Sequence, residues 1–469
     1  MLFNLLPIIF ILGIMLVALE EHVKVNKAAV ALLMSISMWM ILALTGSGVP
    51  ELVNSDLFVR FIDHNPGLAG ESVAMQMRHF ITDRAVVYFL GNTSQTLFFV
   101  MASMAVVEIV DRHAGFQFIC TRLRMRNKRV LLAAVCGISF FFSMLLDNLA
   151  AAIVLISILR KLIRERDDRL IFSCMVIIAC NAGGSCSPIG DVTTILLWVG
   201  GNLSPLHQLS TLLLPALTNV FVAYSLCCLL FLRDKQPLAP LAVDDVAADA
   251  TAVSDFSRMV IFVLGILSLV MVPFLQTLFG MPPFMGVLLG LSVLWVYTDL
   301  MYSRLNKVPE SKKMRITELL SHLDLSTILF FLGVLLSVSA LETSGHLGMM
   351  SAWLDANIGV PYLISFVVGV LSSVVDNVAL VAGTIGMYPL QQAGESLTAI
   401  QQFFVADGGF WTFLAYCGVT GGSIFIIGSA TGVTVMGMEK VSFMYYTKRF
   451  TLLALAGYCA GAAVYMLMA

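Results

Sequence analysis

Residues 140–154 read FFFSMLLDNLAAAIV, and residues 369–383 read GVLSSVVDNVALVAG. Each run is apolar except for an Asp-Asn pair near its middle, Asp147-Asn148 and Asp376-Asn377. A carboxylate at the centre of a bilayer costs about 3 kcal/mol or more, so two such pairs in one chain need a purpose. The parallel continues downstream. Residues 180–194, CNAGGSCSPIGDVTT, and 417–433, CGVTGGSIFIIGSATGV, align Gly183-Gly184-Ser185 with Gly421-Gly422-Ser423, Gly190 with Gly428 and Thr193 with Thr431, at a constant offset of 238. Upstream, Glu108 is followed by His113 as Glu342 is by His346. The same features in the same order mark an internal repeat.

The rest of the chain gives these runs their setting. Of 469 residues, 59% are hydrophobic and 12% charged, and the mean hydropathy is +0.93. Soluble domains carry roughly 25% charged residues, so most of this surface faces something other than water. Twelve apolar segments can be marked, at 2–19, 27–45, 85–108, 130–159, 170–199, 209–232, 259–279, 283–302, 325–343, 361–389, 409–438 and 449–468. The N-terminus has no basic leader and no small-residue cleavage site, and reads as a first membrane helix. The nine cysteines lie almost entirely in apolar stretches without a CxxC pair, so neither a disulfide framework nor a zinc site is indicated. No phosphate-binding loop points to a nucleotide, and nothing points to a nucleic acid or a resident cofactor. No nucleophile–base pair suggests an enzyme. The lipid bilayer is the partner that composition demands.

Basic residues fix the topology. They crowd 112–129 and 160–169, on either side of the segment 130–159. One crossing there would put the two basic loops on opposite faces, against the positive-inside rule. Some 30 residues are too few for two spans of about 20 each, so 130–159 reads as a re-entrant hairpin. Treating 361–389 likewise puts the uncharged loops 344–360 and 390–407 outside, and leaves only Arg60, Arg78 and Arg84 as external basic residues. The expectation is an all-α polytopic protein with about ten spans, two re-entrant hairpins (130–159, 361–389) and two discontinuous helices (170–199, 409–438). Residues 1–233 and 259–469 form inverted halves, joined by an Ala-, Pro- and Asp-rich cytoplasmic linker at 234–258. Such inverted repeats build many secondary transporters.

The chemistry sits at the hairpin tips and the glycine-rich breaks. Asp147, Asn148, Asp376 and Asn377 offer hard oxygen ligands suited to Na⁺ or Li⁺; each Asp can also simply cap the returning half-helix. Glycine pairs and Ser187-Pro188 interrupt the longer helices, exposing backbone and the side chains of Asn181, Ser185, Asp191, Thr193 and Thr194 in the first half. The second half offers Ser423, Ser429 and Thr431, with Ser429 in the place of Asp191. Three intramembrane carboxylates with no intramembrane Lys or Arg repel anions and invite cations. Carboxylates held out of water bind protons more readily, so Na⁺ and H⁺ compete for the same oxygens. The extra carboxylate, Asp191, assigns proton coupling to the first half.

EEHVKVNKAAVALLM, LLDNLAAAIVLISILRKL, CNAGGSCSPIGDVTTILLW and SVVDNVALVAG together resemble the NhaD-type sodium/proton antiporters of the ion-transporter superfamily. The likeness runs from about residue 18 to the C-terminus. It implies Na⁺ and Li⁺ efflux coupled to proton uptake, in the bacterial inner membrane, by a homodimer with an elevator mechanism. The family's binding positions fall on Asp147, Asn148, Asn181, Asp191, Thr193, Thr194, Asp376, Asn377 and Ser423. Dicarboxylate carriers of the superfamily have Ser-Asn-Thr motifs where this chain has Asp-Asn-Leu and Asp-Asn-Val. A cation-coupled carrier of a carboxylate or arsenite-like anion is therefore the second reading.

Overall fold

The computed structural model describes residues 5–18, 20–53, 55–115, 125, 127–232, 254–304, 320–321, 323–392, 394 and 397–469. Most of the expected linker 234–258, and much of the basic stretch 112–129, lie outside the described residues. Among those described, the chain is helical and forms no β-strand. It begins with α1 (Leu5–Ala18), α2 (Lys27–Thr45) and α3 (Val86–Arg112). The first expected hairpin is α4 (Lys128–Leu145) and α5 (Asn148–Leu162), and the first expected broken helix is α6 (Arg166–Ser185) and α7 (Val192–Val199). Then come α8 (Pro205–Leu230), α9 (Asp255–Phe279), α10 (Pro283–Arg304), α11 (Leu325–Thr343) and α12 (His346–Asn357). The second set of breaks separates α13 (Pro361–Leu371) from α14 (Asn377–Met387), and α15 (Gly409–Gly421) from α16 (Ala430–Glu439). Helices α17 (Phe443–Arg449) and α18 (Thr451–Met468) close the chain.

Among the described residues, eight helical stretches are long and apolar enough to cross a bilayer, or nine if α12 and α13, bent by 117°, count as one. The protein is an all-α polytopic membrane protein. Seven of the eight fall on expected spans; the eighth is α4, a limb of the expected hairpin. That limb reaches 18 residues because the helix starts on Lys128, where Asn127 caps it through Arg129 N at 3.0 Å. The apolar run alone starts later. The helices flanking the two glycine-rich breaks, and the 14-residue α1, are not among the eight.

The helices gather into two compact units: residues 1–98, 324–364 and 378–391 in one, and 99–323, 365–377 and 392–469 in the other. In the first, α2 crosses α11 closely. A side chain at Gly333 would collide with the backbone of Ala31 and Leu32, and Trp39 Nε1 donates to Leu336 O at 2.9 Å.

In the second unit, α6 is buried without interruption from Leu170 to Ser185, and α15 from Phe410 to Gly421. Helices that are apolar all round belong in the interior. Each lies against a limb of its own half's expected hairpin. Ser143 Oγ of α4 donates to Cys180 O at 2.5 Å, and Ser372 Oγ, just beyond α13, donates to Gly418 O at 2.6 Å. A Cβ at Gly183 would run into the carbonyl of Phe140, as one at Gly421 would into that of Gly369. Glycine is required at both points because the two backbones touch.

Gly183→Val and Gly421→Val should each destabilise the purified protein by about 1–3 kcal/mol, the usual cost of overpacking. Gly437→Ala, with open space around its Cα, should leave the thermal unfolding midpoint unchanged.

Candidate functional site

Three of the four breaks are organised by a polar residue that caps the helix restarting beyond them. Asp147 has extended backbone, and its Oδ1 accepts from Leu149 N at 2.7 Å and Ala150 N at 3.3 Å, capping α5. Among the described residues its Oδ2 has no hydrogen-bond donor. Asp191 caps α7 through Thr193 N at 2.8 Å, and Thr194 Oγ1 accepts from Asp191 N at 3.2 Å, completing a capping box. Ser429 caps α16 by accepting from Gly432 N at 3.1 Å.

The breaks meet in one place inside the second unit. Asn148 N donates to Gly190 O at 2.9 Å, which ties the α4–α5 turn to the α6–α7 break. The Asn148 amide donates to Asn181 Oδ1 at 3.1 Å and also to Asp191 Oδ2. From the other half, Asn377 Nδ2 reaches the same carboxylate at 3.3 Å. Asn181 Nδ2 then donates to Ser423 Oγ at 2.9 Å and Ser429 Oγ at 3.0 Å. Asp147 and Asp376 both lie within electrostatic reach of Asp191. Among the described residues the buried hydroxyl of Thr431 has no hydrogen-bond partner, and that of Thr193, at the equivalent point of the repeat, lies beside the Asp191 carboxylate. No three His, Cys, Asp or Glu side chains among the described residues are grouped to hold one metal ion. The oxygens offered are a mixture of carboxylate, amide and hydroxyl.

The sequence model of a family described as a citrate transporter, CitMHS, matches residues 10–406. "Sodium/proton antiporter 1" of Arabidopsis thaliana is 36% identical over 464 residues, covering 98% of this chain and 72% of the relative. "Sodium/proton antiporter 2" of the same plant is 34% identical, with 98% of each chain covered. The "Na(+)/H(+) antiporter NhaD" of Vibrio cholerae is 26% identical over 98% of this chain and 91% of its own. The chain belongs to the CitMHS family, among its NhaD-type members. It is a transporter and not an enzyme.

For this NhaD-type chain, the structure draws Asn148, Asn181, Asp191, Asn377, Ser423 and Ser429 into one network. Two of the anticipated residues turn elsewhere: Ser185 Oγ donates to Ala182 O at 2.7 Å, and Thr194 Oγ1 donates to Asp191 O at 2.8 Å. The centre of the network is Asp191, which receives amides from both Asp-Asn pairs. Sequence reasoning passed over Ser143 and Ser372, although each stands four residues before its Asp in a shared Ser-x-x-x-Asp-Asn pattern.

The far ends of the broken helices are fastened crosswise. Glu439, at the end of α16, accepts from Arg160 Nε at 2.6 Å and Arg169 Nε at 2.8 Å, near the end of α5 and the start of α6. Asp407, just before α15, accepts from Ser204 N at 2.6 Å and Ser204 Oγ at 2.7 Å, beyond the end of α7. Arg169 and Asp407 are again 238 positions apart.

The Glu439 side chain is 2% exposed, Arg169 21% and Arg160 47%. Glu439→Gln should therefore lower stability by about 1–3 kcal/mol, the range for a buried charged group losing its partners. Arg169→Ala should cost more than Arg160→Ala, because water already solvates much of Arg160. Thermal unfolding in detergent checks both the size and the order.

Proposed function

We propose that this protein exchanges Na⁺ (and Li⁺) for protons, using a single cluster of oxygen ligands that is presented alternately to the two faces of the membrane. The observation that carries the reading is that the Asp191 carboxylate accepts amides from both Asp-Asn pairs, in one network with Asn181, Ser423 and Ser429, with Asp147 and Asp376 within its electrostatic reach. Among the described residues no Lys or Arg bonds to Asp147 or Asp191. The N-terminal ends of α5, α7, α14 and α16 lie at the cluster, each equivalent to roughly +0.5 charge. Against three carboxylates they leave an excess of about one negative charge, which suits one monovalent cation or one proton. Asp147, Asn148, Asp376 and Asn377 are the proposed cation ligands. The hydroxyls of Thr193 and Thr431 add two oxygens.

The two Asp-Asn turns are proposed to re-enter from opposite faces, with 1–233 and 259–469 as inverted halves joined by the linker 234–258. Both pairs and both glycine-rich breaks fall in one compact unit. This supports an elevator mechanism in which that unit moves as a body within a homodimer. The bacterial inner membrane, which sustains a proton gradient, is the proposed location. The description of the matched family favours a second reading, cation-coupled citrate uptake. Against it stands the charge at the site, since an anion needs more positive groups than helix ends provide.

In everted membrane vesicles holding a preformed pH gradient, adding Na⁺ should collapse the gradient. Asp147→Ala, Asp376→Ala and Asp191→Asn should each abolish that response. Full activity in these variants would refute the assignment of the site. Na⁺-stimulated citrate uptake with no pH response would favour the second reading.

A further inference from the structure

Where a helix unwinds, backbone carbonyls lose their intrahelical donors. In each half such a carbonyl, on the matching serine, is met by a side chain from a later helix. Ser185 O accepts from Gln208 Nε2 of α8 at 2.9 Å, and Ser423 O accepts from Tyr446 Oη of α17 at 2.6 Å. Ser185 and Ser423 are the matching serines of the two Gly-Gly-Ser stretches, and Gln208 and Tyr446 keep the same offset of 238. Both side chains are fully buried. The repeat thus puts two chemically different donors on equivalent oxygens.

The Tyr446 contact lies one residue from the site. The peptide it holds belongs to Ser423, whose hydroxyl accepts from Asn181 within the network around Asp191. Tyr446 is otherwise bound by packing, its ring stacked on Phe450 at 5.7 Å between centroids. The phenolic hydroxyl therefore does something that the ring does not.

We propose that Tyr446 is a specificity-determining positioning residue: by occupying the Ser423 carbonyl, its hydroxyl keeps that oxygen out of the cation's coordination shell. The proposal rests on the reading of the cluster as a cation site. A buried carbonyl without a donor seeks another positive partner, and Ser423 already carries its hydroxyl into the network read as the cation site. The number and field strength of the oxygens decide which alkali ion is preferred. An added carbonyl enlarges the shell and favours larger ions over Li⁺. Gln208 plays the equivalent part at Ser185, whose hydroxyl is turned to its own helix, so its loss should affect selectivity less.

The test is the concentration of Li⁺, Na⁺ and K⁺ giving half-maximal collapse of the pH gradient, for wild type, Tyr446→Phe and Tyr446→His. Phe keeps the ring and loses the donor; His keeps a ring N–H. With Tyr446→Phe, the Li⁺-to-Na⁺ ratio of half-maximal concentrations should rise about threefold or more, and K⁺ should become effective. Tyr446→His should stay nearer the wild-type ratio. A purely structural hydroxyl would lower the response to all three ions together, and that result, or no change, overturns the proposal. Failure of both variants to fold would also overturn it by assigning the hydroxyl to folding. A wild-type protein with no Na⁺ response would instead refute the functional reading itself.

Discussion

A helix that stops inside a bilayer leaves amides and carbonyls that lipid cannot satisfy, and each costs several kcal/mol if left bare. Among the described residues, helices end after Leu145, Ser185, Leu371 and Gly421 and restart within a few residues. Much of the second unit follows from that constraint. Asp147, Asp191 and Ser429 take up the amides where helices restart. Gln208 and Tyr446 donate to the Ser185 and Ser423 carbonyls at the breaks, and Ser143 and Ser372 donate to carbonyls in the last turns of α6 and α15. The side chains that repair the backbone are therefore the ones crowded around the same point, and the site is built from the repairs.

This explains why the capping and ligand readings of Asp147 do not compete. One carboxylate oxygen, Oδ1, serves the helix, and the other remains available. Asp191 is more heavily used, as a helix cap and as acceptor for amides from both halves. Its counterpart Ser429 caps with a hydroxyl and carries no charge. The repeat therefore keeps the capping role and loses the charge.

Much of this was legible in the sequence because it rests on residue types that are costly in a membrane. Asp and Asn inside apolar runs, and paired glycines in long helices, stand out against their surroundings. The constant offset of 238 between Gly183 and Gly421 signals the repeat without any structure. What escaped notice were residues that are ordinary in such segments. Ser143 and Ser372 pass for packing serines until their hydroxyls are seen on the neighbouring carbonyls. Arg169 and Glu439 are separated by 270 positions, and each looks like a charge at a helix end. Only the folded chain joins them. The first limb of the 130–159 run also proved longer than its apolar core, because Asn127 supplies a cap before the hydrophobic residues begin.

The central claim is that both Asp-Asn pairs and both breaks make one cation site and not two. Equilibrium binding of radiolabelled Na⁺ to purified protein, counted per chain, tests this directly. The account predicts a single saturable ion per chain that is lost in Asp191→Asn. Two ions per chain, with one surviving that substitution, would contradict it.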